Sequence, residues 1–289
     1  MHKFIKTASL LMTLSYITII PHHVQASPVL LEIFGETNCS DDPAAQEQIT
    51  ELLKTHKNLI VLNCRGRIEG SSGDLKYARS ECINNGKAYA KRLDAMGYKN
   101  PTIVINGKWV AYAKDIKSAL PLGALDKLVQ IDLTLEDNAL NIDIPDNTIE
   151  TSGHIYIYSY MPSVRAGQNI ARIDPDLELT DDLKNKIAAN KSVPFVTRED
   201  TADTLYVRPL LEKQYIGKWD GKALRMNYPI INITNMTDMA LHKISYAIVI
   251  HEGDEFSPVI AAGELVSDFE SNGLLPHSTP VVFEKISKP

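Results

Sequence analysis

The residue types able to do chemistry gather at Asn38, Cys39, Ser40, Asp41, Asp42 and Pro43, a cysteine and two aspartates directly ahead of a proline. A thiol held at the start of a helix feels the partial positive charge of free backbone N–H groups, which favours the thiolate. Cys39 is therefore the candidate nucleophile. The aspartates act in the opposite sense, because a carboxylate beside the thiol competes for the same positive potential and raises the thiol pKa. Asp42 followed by Pro43 also has a structural reading, as a helix N-cap with proline at the first helical position. Acid/base chemistry by Asp41 or Asp42 has no visible partner in the sequence.

Cys64 and Cys82 complete a set of three cysteines. In an oxidising compartment an odd count implies one bridge and one residual thiol, or an intermolecular partner. The expected bridge is Cys64 to Cys82, because the first ends a strand and the second lies on the helix that must pack beside it. Cys39 then has three readings: a monothiol forming mixed disulfides with a small thiol or a client protein, a partner of Cys64 or Cys82, or an inert residue.

The oxidising compartment is itself an expectation from residues 1–26. Lys3 and Lys6 precede an apolar run from Ala8 to Ile20, followed by Pro21 and the small-residue ending Val24, Gln25, Ala26. That is the layout of a secretory leader cleaved after Ala26. The run is shorter than the roughly 20 residues of a membrane span, and Thr13, Ser15 and Thr18 interrupt it. A secreted or periplasmic protein without a membrane anchor is expected. The chain carries 30 basic and 36 acidic residues for a net charge of −6, and loss of Lys3 and Lys6 makes it −8. Nucleic acid, which needs a basic face, is excluded as a partner. His56, His154, His242, His251 and His277 are scattered without ligand spacing, so neither a metal nor another cofactor is expected. Ser152 and Ser163 lack a nucleophile-elbow context.

The elements that must position these residues follow from periodicity. Val29 to Gly35 is an apolar strand covered on both faces. Ala45, Ile49, Leu52 and Leu53 give Pro43 to Lys57 helical spacing. Leu59 to Cys64 is a second strand, and Asp74 can cap a long helix through Met96, with Gly86 as its weak point. Thr102 to Ile105, the Asn106-Gly107 turn and Lys108 to Ala113 form a hairpin. Asp115 to Leu122 closes the unit as a short helix interrupted by Pro121. This order is a thioredoxin-like α/β arrangement over residues 27–124.

From residue 125 to 289 the texture changes to period-two alternation, as at Val129, Ile131, Leu133 and Leu135, then Leu140, Ile142 and Ile144 after an Asp137-Asn138 turn. Further strands are expected at Ile155 to Tyr160, Thr204 to Val207, Ile244 to Ile250, Val259 to Leu265 and Val281 to Ile286. A mainly antiparallel, sandwich-like β domain results. A polar stretch from Asp174 to Asp203, with a helix from Thr180 to about Asn190, reads as an insertion.

These residues together resemble domain-of-unknown-function family 1223 of exported bacterial proteins, with a thioredoxin-like domain followed by a β-rich one. The family's G-C-S-S-C-P-P is similar to Asn38 to Pro43, and its T-P-Q-M-V-V-N-G resembles Asn100 to Gly107. In the β domain, V-R and W-x-G resemble Val207-Arg208 and Trp219-Asp220-Gly221, and a G-P-I-x-x-A-A type segment resembles Ser257 to Ala262. The resemblance places Asp42 where the family has its second cysteine. It identifies Pro101 as a candidate for the cis-proline that faces the cysteine motif in thioredoxin folds, against the plain reading of a strand-start proline. A dithiol cycle needs a second sulfur to resolve the mixed disulfide, so it does not close locally here. The expected protein is a degenerate CxxD member acting as a binding or accessory module. The alternatives are a monothiol redox protein using Cys39, and dithiol chemistry with Cys64 or Cys82 as a distant resolving cysteine. Whether it is an enzyme stays open.

Overall fold

The computed structural model describes residues 27–36, 42–66, 79–95, 97–146, 151–161, 163–170, 200–230 and 244–266, with only the backbone described at 42, 80, 164–170 and 200–205. It is a mixed α/β fold dominated by strands in several sheets. The first sheet contains β1 (Val29–Glu36), β2 (Leu59–Gly66), β3 (Thr102–Ile105) and β4 (Trp109–Tyr112) in the order β2-β1-β3-β4, with β1 and β2 parallel and the rest antiparallel. Helix α1 (Asp42–Thr55) connects β1 to β2, α2 (Ser80–Arg92) precedes β3, and α3 (Ile116–Leu125) follows β4. Each helix buries positions i, i+4 and i+7: Ala45, Ile49 and Leu52 in α1, Cys82, Gly86 and Tyr89 in α2, Ile116, Leu120 and Gly123 in α3. That is one apolar stripe per helix, enough to seat it on a sheet.

Alternation along β1 divides the first sheet between two cores. Leu31 and Ile33 join Ile49, Leu52, Ile116 and Leu120 under α1 and α3. Leu30 and Phe34 point the other way and join Cys82 and Tyr89 of α2.

The rest of the chain forms a five-stranded sheet, β11-β8-β13-β14-β5, and a three-stranded sheet, β12-β7-β6. Their strands are β5 (Val129–Gln130), β6 (Asp132–Glu136), β7 (Ala139–Ile144), β8 (Gly153–Tyr160), β11 (Leu210–Trp219), β12 (Leu224–Pro229), β13 (Ser245–His251) and β14 (Val259–Leu265). All pairings are antiparallel except β14 with β5. Ile155, Ile157, Ile248 and Ile250 of the large sheet face Leu133, Leu140, Ile142 and Ile144 of the small one. The opposite face of the large sheet presents Tyr158, Tyr160, Ala247 and Val249 to the α2 side of the first sheet. One core thus spans both halves of the chain, and residues 27–124 do not enclose all their apolar surface by themselves.

Four expectations need correction. The second helix begins at Ser80, because Arg79 is extended (φ −120°, ψ 131°), so no helix runs on from Asp74, which lies outside the described residues. Gly86 is a close-approach site: a Cβ there would fall 2.7 Å from Phe34 Cβ and 2.6 Å from Tyr98 Cε2. Pro121 lies inside α3 without ending it. Both Pro121 and Lys117, whose carbonyl loses its i+4 donor, are exposed, so water can serve that carbonyl. Finally, the Asp174 to Asp203 insertion ends earlier, because Asp200–Val207 is strand β10, paired antiparallel with β9 (Ser163–Ile170). The expected helix from Thr180 and the strand at Val281 to Ile286 lie outside the described residues.

The contact at Gly86 sets a first prediction. Alanine improves helix propensity by about 1 kcal/mol, but overpacking costs about 1–3 kcal/mol, and Phe34 Cβ is too close to its backbone to yield. Gly86→Ala is expected to destabilise by up to about 2 kcal/mol net in urea denaturation. A more stable variant would contradict the packing argument.

Candidate functional site

The end of β1 is pinned from two sides immediately before the segment that carries Cys39. Glu36 N–H donates to Asn100 Oδ1 at 2.8 Å, and Arg65 Nη2 donates to Glu36 O at 2.8 Å. Arg65 is buried beneath Gly35, where a Cβ would fall 2.5 Å from its Nη1, and its guanidinium lies 4.8 Å from the Tyr206 ring centroid. Glycine at position 35 is what lets the guanidinium approach the strand. Burial raises the Glu36 carboxyl above its ordinary range, against the opposing charge of Lys87.

Among the residues singled out from sequence, the Asn100-Pro101 bond is cis, and Pro101 is buried at the head of β3. Beside it runs a groove of about 340 Å³ lined by Ala44 and Gln48 of α1 and by Lys99, Asn100, Pro101, Tyr112, Ala113 and Lys114. The Lys99 ammonium lies 4.4 Å from the Tyr112 ring centroid, and Lys99 N–H donates to Thr102 Oγ1 at 3.2 Å. Asp42 is the first residue of α1, one position inside the expected N-cap, and its side chain is not described. Cys39 and Asp41 lie outside the described residues. Cys64 and Cys82 are joined in a disulfide with Cα atoms 5.3 Å apart, buried in the core shared by the two halves.

No family model matches the chain, and no curated protein does. A solved structure does. The fold is similar to the crystal structure of a protein from Agrobacterium tumefaciens determined in a structural-genomics programme, with a TM-score of 0.61 and 14% sequence identity, over 84% of this chain and 96% of that one. At that identity the likeness shows the fold alone.

A second constellation, which sequence reasoning missed, lies where the first sheet meets the five-stranded one. Glu32 projects from β1 into this layer and is 4% exposed. The Tyr89 hydroxyl of α2 lies 2.8 Å from Glu32 Oε2 and 3.1 Å from the backbone carbonyl of Glu255, in the turn between β13 and β14. Lys213 Nζ of β11 donates to Glu255 Oε2 at 2.9 Å and lies 4.7, 5.5 and 5.8 Å from the ring centroids of Tyr156, Tyr158 and Phe256. The buried Tyr158 hydroxyl has no partner among the described residues. Glu32, Cys64, Asn85, Tyr89, Tyr158 and Lys213 surround a cavity of about 10 Å³, the space of about one water. Burial pushes the Glu32 carboxyl and the Tyr89 and Tyr158 phenols above their ordinary values. The available signal was one carboxylate inside an otherwise apolar strand, Val29-Leu30-Leu31-Glu32-Ile33-Phe34. A charged residue in such a run is buried and must be neutralised or partnered.

Proposed function

We propose that this chain is an exported protein with a thioredoxin-like N-terminal domain that binds an extended segment of a client protein in the groove beside Pro101, without a dithiol cycle of its own. The observation that carries this reading is the Cys64–Cys82 bridge, which occupies two of the three cysteines. Both sulfurs are buried between layers, at 4% and 1% residue exposure. Cys39 is then left with no second thiol in the chain to resolve a mixed disulfide. The strand-helix-strand order of the first sheet and its closing β3-β4 hairpin support the thioredoxin-like assignment. The resemblance of Asn38 to Pro43 and Asn100 to Gly107 to the motifs of family 1223 supports membership of that family. The disulfide is compatible with export, and no helix among the described residues is long and apolar enough to cross a membrane.

A monothiol redox role for Cys39 is the second reading, favoured by the same bridge because it leaves that thiol unpaired within the chain. Thiol labelling separates the two. For a binding module, alkylation of the native protein at Cys39 is expected to leave client capture unchanged, and Cys39→Ser captures as wild type does. Capture through a reductant-sensitive link that disappears in Cys39→Ser would replace the binding reading with the monothiol one.

A further inference from the structure

Tyr89 has one hydroxyl hydrogen and two oxygen neighbours, Glu32 Oε2 at 2.8 Å and the Glu255 carbonyl at 3.1 Å. A backbone carbonyl only accepts. If Glu32 were ionised, its carboxylate would also only accept, and two acceptors would compete for one hydrogen. Both contacts are made at full strength when Glu32 carries a proton: the acid donates to the Tyr89 oxygen, and Tyr89 donates to the Glu255 carbonyl. We propose that a proton on Glu32 latches the turn at Glu252–Pro258 onto the first sheet through Tyr89, and that its loss releases the turn.

The surroundings favour the protonated form. Tyr89 faces Glu32 from α2, Tyr158 from β8, Lys213 from β11 and Glu255 from the turn itself, while Arg92 of α2 acts on Tyr89 and on Asp254 of the same turn. The cation acting on Glu32 is Lys213, and it is already held by Glu255 at 2.9 Å. Burial is the largest influence on Glu32 and raises its pKa above the ordinary 4.5. On ionisation the carboxylate takes the Tyr89 hydrogen, the Glu255 carbonyl loses its donor, and two carboxylates share one ammonium. Phe256, whose ring meets Tyr89 edge-on with centroids 5.2 Å apart, is carried on the same turn. Release therefore also uncovers the cavity beside Cys64.

The sign follows from linkage. An acid whose pKa is raised in the closed form holds its stabilising effect below about 4.5 and loses it as pH rises toward the closed-form pKa. His251, whose Nδ1 lies 2.8 Å from the Ser257 carbonyl of the same turn, acts in the opposite sense. Burial pulls its pKa down to about 3 from 6.5, so opening the turn lets it take up a proton at acid pH.

Amide hydrogen exchange of residues 252–257 in the folded protein, corrected for intrinsic rates, reads the opening constant. The informative quantity is the ratio of wild type to Glu32→Gln, in which the His251 contribution cancels. Glutamine keeps an N–H donor toward Tyr89 at every pH. The ratio is expected to rise about tenfold per pH unit above about 4.5 and to level off at the Glu32 pKa, read separately by carboxyl carbon NMR of the wild type. A flat ratio, or a plateau that does not coincide with the Glu32 titration, would overturn the proposal. Should Glu32→Gln fail to fold, Tyr89→Phe tests the relay below pH 4.5, where Glu32 is protonated in both forms. Loss of the hydroxyl is expected to raise opening several-fold there, and unchanged opening would equally overturn it.

Discussion

Arg208→Ala is expected to destabilise the protein by about 3 kcal/mol, the low end of the cost of removing one partner from a buried ion pair, because Arg208 is buried and Glu264 half-buried. Arg208 is 5% exposed and follows β10 in a left-handed conformation (φ 51°). Its Nη1 donates to Glu264 Oε2 at 2.8 Å and to the Leu59 carbonyl at 3.3 Å, while the Tyr160 hydroxyl donates to the same Glu264 oxygen at 3.0 Å. One guanidinium thus ties β14 of the large sheet to β2 of the first. The backbone adds to the junction: Asn63 N–H donates to Arg208 O at 3.1 Å, and Asn63 Nδ2 donates to Gln46 Oε1 and Val207 O, both at 2.9 Å. Alanine would leave the half-buried Glu264 carboxylate without its guanidinium and the Leu59 carbonyl without that donor. The penalty then comes from an uncompensated charge more than from the lost attraction, so Arg208→Met combined with Glu264→Leu is expected to recover most of it. Guanidinium denaturation of the single and double variants decides the matter. A loss under about 1 kcal/mol for Arg208→Ala would show that the layers are held by apolar packing alone.

Removing the Cys64–Cys82 bridge is expected to cost about 3 kcal/mol, the chain-entropy value for a loop of this length. The cysteines are 18 residues apart and tie β2 to α2. The paired alanine variant is the cleaner test, because serine would bury a hydroxyl in an apolar cluster at 4% and 1% exposure. Wild-type protein with a strong reductant should unfold at the denaturant concentration of the Cys64→Ala, Cys82→Ala variant, and the variant should not respond to reductant. If reductant left the wild-type midpoint unchanged under conditions where both thiols can be shown to be free, the bridge would not be stabilising the fold. Under the proposed binding role, client capture in the groove beside Pro101 should survive in the variant, since that groove is lined by α1, residues 99–101 and residues 112–114.

Much of the architecture is written locally. The apolar run at Val29 to Gly35, the i, i+4, i+7 stripe of α1, the Asn106-Gly107 hairpin and the Asp137-Asn138 turn each state their structure within a dozen residues, because propensity and burial period are local. Asn106, Asp137 and Asn138 do adopt positive φ. The pairing of Cys64 with Cys82 was also accessible, since a strand end and its neighbouring helix must lie together. Strand β11 was not legible. It has register shifts at Leu210/Glu212 and Tyr215/Gly217, and each shift breaks the period of two on which a strand is recognised.

What the sequence alone determined, then, is the order of strands and helices over residues 27–124, the turn chemistry, the cysteine arithmetic, and a carboxylate out of place in an apolar strand. What only the tertiary structure decided is which surfaces cover one another. Glu32 meets Tyr89 across 57 residues, Tyr89 meets Glu255 across 166, and Gln46 meets Val207 across 161. No periodicity encodes such contacts, because each side chain shows only that it must be buried and not against what. The choice of partner is made by shape and by hydrogen-bond satisfaction when whole layers pack.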